Sequence, residues 1–159
     1  MGIRNFLLNA FRELILHHHG SLEFRAKLFA LVIAVDDQEK KEVYDCIKKV
    51  ALSLYKYDED RVNVLLMSTK EYVKKVHEEH AKDIDALLSN IQSELKIVPR
   101  YAKKIDIQAL EEILKFTKNE DTLLYQKNIL EYLDKLKEDI LHTKQNQIKE
   151  DEQKVHSKY

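Results

Sequence analysis

Residues that turn or break the backbone are scarce in this chain: its 159 residues include two glycines and one proline, and it has no tryptophan. β-hairpins and barrels depend on regularly spaced turn residues, so this scarcity argues against them. The single cysteine, Cys46, excludes an internal disulfide framework and is typical of a protein from a reducing compartment. The chain also lacks an excess of charge of one sign, because its 27 basic and 28 acidic residues are interleaved. That balance argues against a nucleic-acid partner, whose phosphates call for a basic surface.

The residues that are present favour helices. Charged residues make up 35% of the chain, and the apolar residues recur at three- and four-residue spacing. We therefore predict an all-α fold, a compact bundle of about six to seven helices. Its centre is Leu28–Val35, a run of eight apolar residues that is too short to cross a bilayer and is expected to be buried on all sides.

Three parts follow from this distribution. Residues 1–20 form an amphipathic N-terminal helix, residues 21–141 the helical core domain, and residues 142–159 a polar C-terminal tail that is frayed or disordered. The stripe of the first helix predicts a lid on the core or, alternatively, docking on a membrane surface or a partner through residues 3–16. The last turn of this helix holds three histidines, which are interpreted as solvated, and Gly20 is interpreted as its left-handed cap. Ser21 is expected to cap the next helix. The N-terminus has no signal-peptide pattern, so the predicted localisation is cytoplasmic.

Acidic turns separate the helices. Asp36 and Glu39 have the spacing of a capping box, and further caps are expected at Asp58, Asp106 and Asn119. The stripe from Val62 to Leu95 is too long for one ordinary helix, and it thins near Glu78–Lys82. A helix break is predicted there.

The acidic turns also have a functional interpretation. Asp36, Asp37, Glu39 and Glu42 offer hard oxygen ligands for Ca²⁺ or Mg²⁺, joined by Asn119, Glu120 and Asp121 if the two turns face each other. Alternatively these side chains only cap helices and need no ion. A second metal hypothesis places an ion on His77, His80 and Asp83. The alternative is that this segment is only a polar turn between two helices.

Two segments share one layout, an apolar helix followed by an acidic turn and an amphipathic helix: residues 31–54 and 113–136. This layout suggests two pseudo-repeated halves. Together with Ala34-Val35-Asp36-Asp37-Gln38-Glu39 and Asn119-Glu120-Asp121, it resembles the TerB-like helical domain of tellurite-resistance proteins and of some membrane-anchored DnaJ-type co-chaperones. The resemblance implies an interaction module in a stress- or envelope-associated assembly, with a divalent-metal site in its turns. Both turns here lack the glycine of that family's motif.

Catalysis finds no support in the motifs. The sequence contains no glycine-rich phosphate loop, no nucleophile signature around Cys46 and no zincin motif, so we predict no enzyme, no catalytic residue and no organic cofactor. The predicted function is a non-catalytic cytoplasmic module that binds a protein partner. Metal-responsive and peripheral membrane proteins are the alternatives, and the sequence leaves the oligomeric state open.

Overall fold

The computed structural model describes residues 20–38, 40–79 and 82–157. Within these ranges the chain forms six α-helices and one 3-10 helix, and no strand: α1 (Gly20–Ala34), α2 (Lys41–Leu54), α3 (Glu59–Glu79), α4 (Lys82–Ile97), the 3-10 helix (Pro99–Lys104), α5 (Ile107–Leu114) and α6 (Glu120–Ser157). The all-α prediction is confirmed. The predicted N-terminal helix, with its three histidines, lies outside the described residues.

Helix α1 is the buried centre that the apolar run predicts. Seven of the eight residues from Leu28 to Val35 are buried, and Val35 is half-buried. α3, α4, the 3-10 helix, α5 and α6 all pack on α1, while α2 packs outside it on α3 and α5. Full burial of one large aliphatic side chain stabilises the fold by about 1.5–3 kcal/mol. α1 supplies ten of the 29 buried apolar residues of the described chain, so its packing contributes a large share of the stability of the bundle.

Polar contacts connect α4 and α3 to α1. Lys27 Nζ lies 2.8 Å from Glu94 Oε2, in a partly buried ion pair between α1 and α4. On the other side, the Tyr72 hydroxyl of α3 donates a hydrogen bond to Glu23 Oε1 of α1. The charged residues in the first half of α1 thus have partners on the neighbouring helices.

The start of α1 differs from the prediction. Gly20 and Ser21 are both helical residues of α1, and Gly20 does not have a positive φ. Gly20 is therefore not a left-handed cap, and Ser21 is not the N-cap of α1, so both predictions were wrong. A Cβ built on Gly20 would lie 2.5 Å from the Tyr101 hydroxyl oxygen. A larger residue at this position would therefore require the Tyr101 side chain of the 3-10 helix to shift.

The first acidic turn is also different from the predicted capping box. The N-cap of α2 is Lys40, which makes no side-chain capping hydrogen bond. Asp36 Oδ1 instead accepts a hydrogen bond from the Gln38 backbone N–H at 3.0 Å, which closes a local turn before the helix starts. Glu39, the other half of the predicted box, lies outside the described residues.

The caps predicted at Asp58, Asp106 and Asn119 are confirmed. Asp58 accepts from the Arg61 N–H at 3.3 Å, and Asp106 accepts from the Ala109 N–H at 3.2 Å. Asn119 Oδ1 accepts from the N–H groups of Asp121 and Thr122. Each side chain satisfies amides that a helix start leaves without a partner.

Two predicted boundaries concern the later helices. α3 is described through Glu79 and α4 from Lys82. The predicted break falls on residues 80 and 81, which lie outside the described residues. α6 runs through Ser157, beyond the boundary placed at residue 141, and its side chains from 145 to 155 are exposed. The division of the chain into N-terminal helix, core and tail stays a prediction.

Candidate functional site

An apolar concavity lies between α4 and α6, and we call it the α4–α6 groove. It has a volume of about 860 Å³. One wall is the end of α4 and the start of the 3-10 helix, and the other wall is the middle of α6; its main lining residues are Lys96, Ile97, Arg100, Tyr132, Leu136 and Ile140.

Among the described residues, the ring of helices around α1 is open between α4 and α6. The backbones of α4 and α6 hardly approach each other, although each packs on α1 and on the 3-10 helix. Gln92 of α4 donates a hydrogen bond to the Tyr132 hydroxyl of α6 at one end of the groove. Pro99 and Arg100 of the 3-10 helix also line the groove. The groove is therefore a cleft between α4 and α6, which are connected by this hydrogen bond and by the 3-10 helix.

Apolar side chains line the groove and remain accessible to solvent. Leu95 is buried beneath it, whereas Ile97 is 80% exposed and Tyr132 is 40% exposed. Leu136 and Ile140 are half-buried. Contiguous apolar surface of this kind on a water-facing protein marks a binding site more often than isolated apolar residues do.

The charges around the groove are mainly positive. Lys96 and Arg100 stand on the α4 side, and Lys144 stands on the α6 side together with Asp139. A ligand with apolar side chains flanked by carboxylates would match both the apolar lining and this rim.

A smaller cavity joins the two acidic turns. It measures about 200 Å³ and is lined by Asp36, Asp37 and Asn119, with Lys40 and Lys118 beside them. The two turns of the suggested repeat therefore do meet. The two lysines place positive charge where a cation would have to bind, which disfavours a cation there.

Of the other predicted metal ligands, Glu39 lies outside the described residues, and Glu42, Glu120 and Asp121 do not line this cavity. Glu42 is exposed in the first turn of α2, and Glu120 is exposed at the start of α6, while Asp121 lines a separate cavity with Asp37. Within residues 20–38, 40–79 and 82–157, no three His, Cys, Asp or Glu side chains come together in a way that could hold a metal ion. The Ca²⁺ or Mg²⁺ site stays a prediction.

His77 has a structural partner. Its Nε2 lies 3.1 Å from the Ala34 carbonyl oxygen, and since a carbonyl only accepts, this nitrogen donates. His80 and the side chain of Asp83, the other two members of the second metal hypothesis, lie outside the described residues.

Gln126 of α6, like His77, donates a hydrogen bond to a carbonyl near the end of α1. It is fully buried, and its Nε2 donates to the Val32 carbonyl oxygen at 3.0 Å. The last carbonyls of a helix have no partner within that helix, and inside a core they need one. The sequence pattern gave no sign of this role for Gln126, because a single polar residue beside an apolar stripe predicts an exposed position.

Cys46 is half-buried on α2. Burial raises the pKa of its thiol, and the nearby Glu112 carboxylate raises that pKa further. A thiol held in its protonated form is a poor nucleophile.

Comparisons of the chain with protein-family models, with curated proteins and with solved structures found no match. None of the described helices is both long enough and apolar enough to cross a membrane.

Proposed function

We propose that this protein is a non-catalytic interaction module that binds an amphipathic helix of a partner protein in the α4–α6 groove. The observation that carries the proposal is the accessible apolar lining of that groove, with Ile97 and Tyr132 on its two walls. Grooves between helices recognise amphipathic helices through apolar residues spaced at three and four positions.

The rim adds a second requirement for the partner. Lys96, Arg100 and Lys144 outnumber Asp139, so the partner helix should carry acidic residues beside its apolar face. Complementary rim charges mainly raise the rate of association and exclude wrong partners. A finer proposal, a TerB-like module in a stress- or envelope-associated cytoplasmic assembly, rests on the resemblance of the two acidic turns.

The test compares two substitutions at equally exposed positions. Ile97 is 80% exposed in the groove, and Tyr57 is 76% exposed in the turn after α2. Neither side chain supports the core, so Ile97→Asp and Tyr57→Asp should both fold, as circular dichroism can verify. Affinity capture from extract of the native cell is then done with the wild type and both variants.

The proposal expects one partner that is captured by the wild type and by Tyr57→Asp but is lost with Ile97→Asp. A synthetic peptide of the partner's contacting segment should bind the wild type and become helical. A partner set that is the same for all three proteins, or a contacting segment that is not an amphipathic helix, would contradict the proposal.

A further inference from the structure

We propose that a second cavity, which α1, the 3-10 helix and α6 line with cationic side chains, binds a small molecule that carries a phosphate group. We call it the basic cavity, and its volume is about 230 Å³. It shares no lining residue with the α4–α6 groove, so this proposal does not depend on the proposed function.

The first argument is the charge of the basic cavity. Four cationic side chains line it: Arg25, Lys103, Lys104 and Lys137. Asp106 is the one carboxylate among its described lining residues, and its Oδ1 already accepts the Ala109 N–H at the start of α5. Since the whole chain has 27 basic and 28 acidic residues, this positive excess is local. Like charges around one cavity repel each other, and together they attract an anion.

The second argument is that these four cations have no anionic partner within residues 20–38, 40–79 and 82–157. No carboxylate of these ranges forms an ion pair with any of them, whereas Lys27 pairs with Glu94 and Lys115 pairs with Glu112. The positive charge of the basic cavity is therefore not neutralised by the described part of the chain.

The third argument is that two of the cations are held in place. The guanidinium carbon of the half-buried Arg25 lies 5.5 Å from the centre of the Tyr55 ring, and this contact with the ring does not use up the five N–H donors. Lys137 is also half-buried, and its Nζ donates to the Ile105 carbonyl oxygen at 2.7 Å. An ammonium group has three N–H donors, so two remain for a ligand. Cations that are already positioned lose less freedom when an anion binds.

Size and lining define the class of ligand. The basic cavity is smaller than the roughly 300–1,000 Å³ of pockets that hold drug-sized molecules, so its ligand is small. A phosphate monoester has a charge of about −1.5 to −2 at pH 7 and three acceptor oxygens, which suits several cations better than one carboxylate does. The buried side chains of Leu28, Phe29 and Leu110 also line the cavity, and they match an apolar group on the ligand.

Isothermal titration calorimetry on the full chain at constant ionic strength tests the proposal. The probes are phenyl phosphate and inorganic phosphate. Phenyl phosphate should bind at one site per chain and more tightly than inorganic phosphate, because its ring is buried against the apolar lining. Ile97→Asp, in the α4–α6 groove, should bind phenyl phosphate as the wild type does.

Two double variants with the same change of charge give the matched comparison. Lys103→Gln with Lys104→Gln removes two cations of the basic cavity, whereas Lys74→Gln with Lys75→Gln removes an adjacent pair from exposed positions on α3. The first pair should weaken phenyl phosphate binding by about tenfold or more, since it removes charge-assisted hydrogen bonds, and the second pair should leave it unchanged. Arg25→Gln should weaken binding as well, so the test does not depend on one variant. Circular dichroism verifies that each variant folds.

Three results would overturn the proposal. The first is the lack of any phenyl phosphate binding at millimolar concentration. The second is an equal weakening in both double variants, because the probe would then respond only to the net charge of the protein. A lipid headgroup is the other source of the same chemistry, so the third is sedimentation with vesicles of phosphatidylcholine and phosphatidic acid that phenyl phosphate does not compete with.

Discussion

Two polar side chains, His77 and Gln126, decide how the apolar central helix can end inside the protein. They come from α3 and α6, and they donate to the carbonyls of Ala34 and Val32. A third carbonyl, that of Ile33, accepts from the Asp36 backbone N–H at 3.0 Å. The buried end of α1 is therefore completed by neighbouring elements, without the glycine that often follows a helix.

Replacing Gln126 with methionine tests this arrangement. The substitution keeps the length of the side chain but removes the donor, and it leaves the buried Val32 carbonyl without that partner. The free energy of unfolding should fall by about 1–3 kcal/mol. The value should lie near the lower end, since Gln126 Oε1 has no partner among the described residues and its burial is relieved. Urea unfolding measures the change.

The matched control is Gln108→Met, at an exposed position on α5. An exposed substitution of this kind should change the free energy of unfolding by less than about 0.5 kcal/mol. Equal effects at positions 108 and 126 would mean that the hydrogen bond to Val32 does not stabilise the end of α1.

Cys46 provides a pH-dependent prediction. Burial, and next the Glu112 carboxylate, raise its pKa in the folded state. The folded state therefore retains the proton longer than the unfolded state, and the free energy of unfolding should decrease as the pH rises through the ordinary thiol pKa. Iodoacetamide alkylation followed against pH should have its midpoint higher in the native protein than in urea.

Substitution of Glu112 separates the two causes. Glu112→Gln should lower the alkylation midpoint, yet keep it above that of the unfolded chain, because burial is the larger cause. Glu111→Gln, at the exposed neighbouring position, should leave the midpoint unchanged. A native midpoint equal to that in urea would contradict the assignment.

At the scale of the helices, α1 depends on burial from all sides. Leu31 is fully buried, and Leu31→Ala should lower the free energy of unfolding by about 2–5 kcal/mol through the cavity that it leaves. Leu124→Ala on α6 removes the same atoms from a side chain that is 59% exposed, and its effect should stay within about 0.5 kcal/mol. A comparison of the two denaturation curves checks the prediction, and similar losses would show that α1 is not the centre of the fold.

The acidic turns give a second prediction about elements. Asp36 and Asn119 already accept backbone hydrogen bonds, and Lys40 and Lys118 line the cavity between the turns. Millimolar Ca²⁺ or Mg²⁺ should therefore leave the thermal midpoint unchanged, since a ligand that binds the native state raises it. A rise that Asp37→Asn abolishes, but that Asp60→Asn at the start of α3 does not, would establish the metal site instead.

The sequence predicted those elements whose cause is local. The apolar run Leu28–Val35 predicted the burial of α1. Asp58, Asp106 and Asn119 predicted three helix starts, because a cap acts on amides two or three residues away. The first acidic turn was predicted wrongly. Asp36 satisfies a nearby amide within the turn, and this competes with capping of the next helix.

The α4–α6 groove depends on contacts distant in sequence, and no local pattern indicates it. Tyr132 belongs to an apolar stripe that predicted burial, yet it is partly exposed because α4 does not close against α6. Ile97 lies outside the α4 stripe, and only this position off the apolar face hinted at a second surface. Hydrophobic spacing predicts which face of a helix is apolar, but only the assembled bundle shows whether a neighbour covers it.

At the scale of the whole molecule, the far end of α6 also carries apolar side chains that no other described helix covers. Residues 148–157 are helical beyond the end of the groove, and Ile148 and Val155 are 50% and 57% exposed. Removal of residues 148–159 should shift the thermal midpoint by only about 1–2 °C, because these side chains bury little. Far-ultraviolet circular dichroism should still report the loss of the helical residues.

The double variant Ile148→Asp and Val155→Asp is the control for the truncation, since it keeps the length of the helix and removes its apolar groups. It should likewise leave the midpoint unchanged. A drop of several degrees in both proteins, with a fall in sedimenting mass, would show that the two side chains pack on a second copy of the chain. The long helix would then be an assembly element, and the polar residues around Ile148 and Val155 would border an interface.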